Sequence, residues 1–144
     1  VAGVAVLLAL YAAPIRLLAN SPRPRVTVFA GAAAAMALAV QTVADAQKFL
    51  AKRRAPDRPC TTGLWRVSRH VNYAADVVLH GAVAVAAALS APSAATALLA
   101  VVAPLMMCSI VLSATESLDG RQRLAYRDDA FEAYVAATPR LFFT

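Results

Sequence analysis

The residues best suited to chemistry lie in one eleven-residue run, Gly63–Tyr73. It contains two Arg, a His, an Asn and a Tyr, and it lies between two apolar stretches. Cations and hydrogen-bond donors are costly to hold against hydrocarbon, so at such a boundary they usually have a partner or a function. Arg66 and Arg69 are three residues apart in a turn, and the planar Arg fork matches phosphate oxygens, so both could address one diphosphate. The N-terminus of the helix that follows would add free N–H groups and a positive dipole end. The run therefore predicts a site for an anionic, planar cofactor.

Polar residues at helical spacing extend this site along three predicted helices. Residues at i, i+4 and i+7 share one face of a helix. The three ladders are Gln41, Asp45 and Lys48; Asn72 or Tyr73 with Asp76 and His80; and Ser109, Ser113 and Glu116. Lipid does not accept such stripes, so we expect them to face one another or a water-filled cavity.

Several of these residues also have purely structural explanations. Asn72 suits the N-cap of the third helix, and Asp76 in its first turn complements the helix dipole. A hydrogen bond to Asp76 would account for His80, and an ion pair that locks helices together would account for Asp45. These alternatives remain open beside the functional ones.

The composition is that of a membrane protein. The chain has 144 residues, is 60% hydrophobic and has a mean hydropathy of +0.62. Four continuous apolar stretches approach the roughly 20 residues that a helix needs to cross a bilayer. They run from Val1 to Ala19, Val26 to Phe49, Val71 to Ala91, and Ser93 to Thr115. We predict an all-α polytopic transmembrane helix bundle with about four transmembrane helices plus a C-terminal amphipathic interfacial segment after Gly120.

We treat residues 1–144 as a single membrane domain, with amino-terminal transmembrane helices over 1–44 and a cofactor-binding portion over 45–144. Because the chain begins with Val rather than Met, we expect further sequence ahead of residue 1.

The distribution of charge indicates orientation rather than nucleic-acid binding. The net charge is +6, seven of the fourteen Lys and Arg lie between Lys48 and Arg69, and four more follow Gly120. The positive-inside rule makes this loop and tail cytosolic, in either an endoplasmic reticulum membrane or a bacterial inner membrane. Cys60 lies in a polar loop and Cys108 in an apolar stretch, so we expect neither a disulfide nor a metal site.

Three segments resemble the steroid 5-alpha-reductase C-terminal family, which includes the DUF1295 members. They are the run Gly63–Tyr73, the segment Ala44-Asp45-x-Gln47-Lys48-Phe49, and a closing stretch with Thr115-Glu116, Arg121, Phe131, Tyr134 and Thr138-Pro139. The resemblance covers about Asp45 to Phe143, roughly two thirds of the chain. The chain departs from the family pattern at Val71, Asp76 and His80, where the family usually has Pro, Glu and an aromatic residue.

The resemblance implies a membrane enzyme that binds NADPH on its cytosolic side. Such enzymes reduce a carbon–carbon double bond conjugated to a carbonyl, or a related alkene of a sterol or other lipid, so the partners would be a lipid or steroid-like substrate and membrane lipids. By motif match the NADPH site would contain Arg66, Arg69, His70, Asn72, Tyr73, Asp76, Asp45, Arg123 and Tyr126. Tyr73 and Asp76 are also the candidates for a catalytic role. The family's substrate-polarising acid and Tyr lie in amino-terminal helices, which we expect ahead of this chain.

Two other functions remain open. Isoprenylcysteine-carboxyl-type membrane methyltransferases also enter a helix through an Arg-His-x-x-Tyr segment, but they bind S-adenosylmethionine. Asn72 before Tyr73, the Gly-Leu-Trp opening and the Asp-x-Gln-Lys segment favour the reductase. A non-catalytic membrane protein that keeps the fold is the third interpretation, because several motif positions are altered.

Overall fold

The structure, a computed structural model, describes residues 2–142, and the side chains of residues 9–142. Val1, and Phe143 at the end of the family resemblance, lie outside the described residues. Residues 2–142 contain helices and no strand, so the all-α prediction is confirmed. The helices are α1 (Ala2–Ala19), α2 (Pro24–Arg54), a 3-10 helix (Gly63–Arg66), α3 (Val71–Ser90), α4 (Ala94–Ala125) and α5 (Asp129–Ala137).

Within the described residues, three helices are long and apolar enough to cross a membrane: α2, α3 and α4. The 31 residues of α2 and the 32 of α4 give helices of about 47 Å, longer than the roughly 30 Å of hydrocarbon. The charged C-terminal turns of both helices can therefore extend into the headgroup region. The described side chains of α1, Ala9–Ala19, form an apolar segment shorter than a span, so a fourth span stays a prediction.

The C-terminal part of the chain differs from the predicted single interfacial segment. Helix α4 continues to Ala125, ten residues beyond the predicted end of its apolar stretch. Leaving hydrocarbon does not end a helix, because the backbone bonds continue as long as the residues favour them. The chain breaks only at residues 126–128, and α5 begins there with a side-chain cap. The Asp128 carboxylate accepts a hydrogen bond from the Phe131 N–H at 2.7 Å.

The chain forms two compact units with different chemistry. The apolar unit comprises the described residues up to Ala37 together with Val77–Ile110. The charged unit comprises Leu38–Asp76 together with the described residues from Val111 onward. All eight Asp and Glu residues and eleven of the fourteen Lys and Arg residues belong to the charged unit. Most of the charged side chains that could bind a ligand or take part in a reaction therefore belong to that unit.

The apolar unit packs through alanines. Ala30 and Ala37 are seven residues apart on α2 and almost fully buried, and so are Ala87 of α3 and Ala100 of α4. Small residues let membrane helices approach closely, which replaces the hydrophobic driving force that lipid cannot provide. Large apolar side chains point outward instead; Phe29, for example, is 74% exposed. Lipid is the expected environment for such a surface.

Several polar side chains of the apolar unit are paired. The Tyr11 hydroxyl forms a hydrogen bond with His80 Nδ1, and the Ser21 and Ser90 hydroxyls lie 2.8 Å apart. The Arg23 guanidinium donates to the Leu89 carbonyl near the end of α3. The structure thus gives His80 Nδ1 the Tyr11 hydroxyl as a partner.

In the charged unit, a glycine fixes the turn that leads into the candidate site. Gly63 has a φ of +63°, and a Cβ at this position would lie 2.5 Å from the Gln47 Oε1 atom. That oxygen accepts a hydrogen bond from the Leu64 N–H at 2.9 Å, and the Trp65 indole donates to the Ala44 carbonyl at 2.9 Å. The segments Ala44–Lys48 and Gly63–Trp65 are therefore joined at close range, and the positive φ of Gly63 favours a residue without a side chain.

We expect Gly63→Ala to lower the free energy of unfolding by about 1–3 kcal/mol, because alanine is strained at positive φ and would collide with Gln47. Gly120→Ala is the matched control, since a Cβ at Gly120 meets nothing within 4 Å and helical Gly→Ala stabilises by about 0.5–1 kcal/mol. Thermal unfolding in detergent measures both. Equal stability of the two variants would contradict this account of the turn.

Candidate functional site

The turn before α3 is held by backbone bonds to the C-terminal segment. The N–H groups of Arg69 and His70 donate to the carbonyls of Pro139 and Arg140 at 3.0 and 3.2 Å, and the Ser68 hydroxyl donates to the same Arg140 carbonyl at 3.0 Å. These two N–H groups, which precede α3, are therefore occupied and cannot bind an anion. Instead, the C-terminal segment fixes the position of the two charged side chains.

A single carboxylate of α4 joins those two side chains. Asp119 Oδ1 lies 2.6 Å from His70 Nε2, and Asp119 Oδ2 lies 3.2 Å from Arg69 Nη1. The side chains are 17% exposed for Asp119, 10% for Arg69 and 3% for His70, so solvent screens these contacts weakly. Asp119 thus ties the end of α4 to the start of α3.

Burial sets the protonation of His70. Desolvation lowers the pKa of His70 below its usual range, although the Asp119 carboxylate acts to raise it. The imidazole is then neutral at pH 7, with Nε2–H donating to Asp119. The Asp119 carboxylate consequently neutralises one cation, the Arg69 guanidinium, rather than two.

Next to this pair lies a small, partly enclosed cavity of about 30 Å³, which we call the basic cavity. Its lining comes from the end of α2, the following loop, the turn before α3, the end of α4 and α5. The nine lining residues are Lys48, Lys52, Pro59, Cys60, Trp65, Arg69, Gln122, Tyr126 and Tyr134. Three of them are cations and none is acidic. A cavity of this size holds one water molecule or part of a small group.

Hydrogen-bond donors dominate the lining of the basic cavity. The Lys52 ammonium donates to the Tyr126 hydroxyl and to the Pro56 carbonyl, which leaves the Tyr126 O–H available as a donor. The Lys48 ammonium lies 5.0 Å from the centre of the Trp65 ring. Arg69 Nε is buried and has no hydrogen-bond partner among the described residues. Buried polar groups normally have partners, so this N–H is available to an acceptor on a water molecule or a ligand.

One hydroxyl of the cavity has a structural role. Tyr134 Oη donates to the Trp65 carbonyl at 2.6 Å, and burial raises the pKa of Tyr134 to about 12. The phenol therefore stays protonated and attaches α5 to the 3-10 helix.

A second polar group connects α2 with α3. The Gln41 side-chain amide donates to Asp76 Oδ1, and the Asn72 amide lies 3.4 Å from Asp45 Oδ1. Two of the predicted ladders therefore face each other within the charged unit, as expected. The alternative role of Asn72 as N-cap is wrong, because α3 already begins at Val71.

The remaining candidates lie apart from the basic cavity. The Tyr73 ring contacts His70, with centroids 6.0 Å apart. Arg66 is exposed and does not line the cavity that Arg69 lines. Arg123 forms an exposed ion pair with Glu132 at 3.3 Å. Of the two tail candidates, only Tyr126 joins Arg69 in the cavity lining.

Sequence reasoning missed four residues of this site: Asp119, Gln122, Lys52 and Tyr134. Asp119 follows Glu116 by three residues, so extending the third ladder by one helical turn would have reached it. Lys52 follows Lys48 by four residues, so it continues the ladder of Gln41, Asp45 and Lys48 along one face of α2. Among the described residues, no group of three or more His, Cys, Asp or Glu could hold a metal ion.

Comparison with known families identifies the chain at the level of family. The model of the family described as "Protein of unknown function (DUF1295)" matches residues 3–138 and thus includes every residue of the candidate site. The chain belongs to the DUF1295 family. No curated protein and no solved structure matches it. The DUF1295 match extends further toward the N-terminus than the segments that carried the resemblance.

In this DUF1295 protein we expect Asp119→Asn to reduce the free energy of unfolding by about 2 kcal/mol, because the buried Arg69 loses its counter-charge. Glu132→Gln removes a carboxylate from the ion pair with Arg123, whose side chains are about half exposed, and should change it by less than about 1 kcal/mol. Chemical denaturation in detergent compares the two variants. Equal losses would show that Asp119 is only a surface charge.

We further expect acidification from pH 7 to destabilise the protein through His70. In the unfolded chain His70 titrates near its usual pKa of about 6.5, whereas burial lowers the pKa in the fold. Below the unfolded-state pKa, the unfolded chain binds more protons at His70 than the folded chain does. The stability that neutral His70 contributes at pH 7 is therefore lost as the pH falls through the folded-state pKa of His70. The free energy of unfolding, measured as a function of pH for wild type and His70→Gln, isolates the contribution of His70. Parallel curves for the two proteins would contradict it.

Proposed function

We propose that the chain is a membrane-embedded, NADPH-dependent reductase of a conjugated carbon–carbon double bond in a steroid, sterol or other lipid, or the cofactor-binding portion of such an enzyme. The observation that supports this most is the basic cavity itself, which Arg69 lines together with two further cations and no acid. The buried Nε atom of the same Arg69 has no hydrogen-bond partner among the described residues. Such a site favours an anion with several acceptor oxygens, and phosphate is the commonest anion of this kind in cofactors.

The residues present fit the phosphate-bearing part of NADPH. Lys48, Lys52 and Arg69 would provide charge, and the Tyr126 hydroxyl would provide a directed donor. A cavity of about 30 Å³ is too small for a nicotinamide or adenine ring, so the rings would have to lie outside it. Asn72, Asp45 and Asp76 offer amide and carboxylate groups suited to ribose hydroxyls and a carboxamide.

When bound, NADPH would supply the hydride, and the residues of this chain would bind and orient it. The Asp119 carboxylate keeps Arg69 in place, and neutral His70 positions the ring of Tyr73 through their contact. Tyr73 and Asp76, in the first two turns of α3, remain the candidates for a catalytic role. The apolar surface of the chain suits a lipid substrate that arrives from the bilayer.

The position in the membrane follows from charge. The eleven basic residues of the charged unit favour the cytosolic side by the positive-inside rule. An endoplasmic reticulum membrane and a bacterial inner membrane are both compatible with this orientation.

The charge of the cavity also bears on the methyltransferase alternative. S-adenosylmethionine carries a sulfonium cation and no phosphate, so a cavity lined by three cations disfavours its sulfonium end. NADPH carries only anionic groups outside its neutral rings and sugars. The lining therefore favours the reductase.

The test is thermal unfolding of the detergent-purified chain with NADPH, NADH or S-adenosylmethionine. A ligand that binds only the folded state raises the melting temperature by mass action, and we expect NADPH to do so and S-adenosylmethionine not to. Arg69→Lys keeps the charge beside Asp119 but removes Nε, and it should reduce the NADPH shift. Arg53→Lys is the control, because Arg53 lies exposed over the Phe49 ring. A shift with S-adenosylmethionine alone would move the protein to the methyltransferases, and no shift with any ligand would contradict cofactor binding.

A further inference from the structure

A groove of about 370 Å³ lies within the apolar unit, between the first turns of α2 and the second half of α3. Its volume falls in the range of about 300–1,000 Å³ that is usual for small-molecule sites. The lining is apolar except for one cation at the start of α2. It consists of Arg25, Val26 and Phe29 of α2 and Gly81, Ala82, Val85, Ala86 and Leu89 of α3.

The groove is elongated along α3. Gly81, Val85 and Leu89 follow one another at i, i+4 and i+8, so they form a row of about 12 Å on one face of the helix. Ala86 is buried and forms the floor, whereas the exposed side chains of Phe29 and Val85 form the walls. A Cβ added at Gly81 would meet nothing within 4 Å, so this end of the row is open. Such a groove fits an extended hydrocarbon chain.

The charge at the other end of the groove is not neutralised within the apolar unit. That unit contains no Asp or Glu, so Arg25 has no carboxylate there to pair with. Arg25 is the second residue of α2, and a cation at the positive end of a helix dipole is not stabilised by the helix. The Arg23 guanidinium donates to the carbonyl of Leu89, a lining residue, and brings a second cation to this end. The matching occupant is apolar over most of its length and anionic at one end.

A second copy of the chain is the main competing occupant. Its apolar unit would bring no Asp or Glu to Arg25, and it would add arginines of its own. Like charges repel most strongly where the dielectric constant is low, so pairing two apolar units at this groove would be unfavourable. An anionic phospholipid supplies both an acyl chain and the missing negative charge, and the membrane contains it.

We propose that this groove binds one anionic phospholipid, with an acyl chain along Gly81, Val85 and Leu89 and the headgroup phosphate at Arg25. The guanidinium donates hydrogen bonds to the phosphate oxygens, and the net negative charge of the headgroup neutralises it. The bound lipid fills the space between α2 and α3 as a structural part of the apolar unit. This binding is independent of the proposed reductase activity, because every lining residue belongs to the apolar unit.

The experiment measures the dissociation constants of phosphatidylglycerol and phosphatidylcholine with identical acyl chains, by native mass spectrometry of the detergent-purified full chain. Wild type should retain one phosphatidylglycerol molecule and bind it more tightly than phosphatidylcholine. Arg25→Gln should weaken phosphatidylglycerol binding by about tenfold, because it removes a charged hydrogen bond to the headgroup. Arg16→Gln is the matched control, since it removes an exposed cation of the same unit that does not line the groove. It should leave both constants unchanged.

A pair of glycine variants tests the position of the acyl chain. Gly81→Leu places a side chain in the open groove, so the retained lipid should be lost. Gly31→Leu is its control, because a Cβ at Gly31 also meets nothing within 4 Å and Gly31 does not line the groove. It should bind phosphatidylglycerol as wild type does. Both substitutions enter open space, which guards against a folding defect as the cause of the loss.

Four results would overturn the proposal. Equal affinity of wild type for the two phospholipids would remove the role of the headgroup charge, and equal losses in Arg16→Gln and Arg25→Gln would assign the preference to general basic charge. Wild-type binding by Gly81→Leu would show that the lipid lies elsewhere. A dimer that Gly81→Leu dissociates, without any retained lipid, would assign the groove to a second copy of the chain.

Discussion

The Asp119 carboxylate, shared between Arg69 and His70, is the contact on which the charged unit depends. It joins α4 to the turn before α3 across 49 residues of sequence, with an oxygen–nitrogen distance of 2.6 Å to His70. Removing the carboxylate would leave a guanidinium nine-tenths buried without a counter-charge, which proteins rarely tolerate. This contact acts together with the backbone bonds from Arg69 and His70 to the C-terminal segment to hold the turn that brings Arg69 to the cavity.

The distribution of polar groups reflects the solvent that each unit meets. The apolar unit contains no Asp or Glu, packs through alanine and pairs several of its polar side chains with one another, as in Tyr11–His80. Polar groups in hydrocarbon need protein partners, because no water is present there to form hydrogen bonds with them. The charged unit has no such constraint where α2 and α4 extend beyond the hydrocarbon. Charges can be kept there near a ligand site at modest cost.

Local rules predicted a large part of this architecture from sequence. The start of α3 at Val71 and its end near Ser90 follow from the apolar run and the Ala-Pro turn after it, and the facing ladders of α2 and α3 follow from helical spacing. Gly63 was placed in the motif, but its need for positive φ and for close approach to Gln47 depends on a contact 16 residues away. Asp119 escaped prediction for the same reason, since its partners are remote in sequence. Arg66 and Arg69 are equally good candidates in the sequence, because both lie in the same short run. Only the folded structure shows that Arg69 is the more buried of the two and lines the cavity.

We propose that an anionic dinucleotide cofactor binds at the basic cavity. Trp65, the one tryptophan in the sequence, lines that cavity, so its fluorescence reports binding there. Titration with NADP⁺ avoids energy transfer, because the oxidised nicotinamide ring does not absorb tryptophan emission. We expect a saturable change in Trp65 emission over the NADP⁺ concentrations that raise the melting temperature. Stabilisation by NADP⁺ with an unchanged Trp65 spectrum would show that the cofactor binds elsewhere.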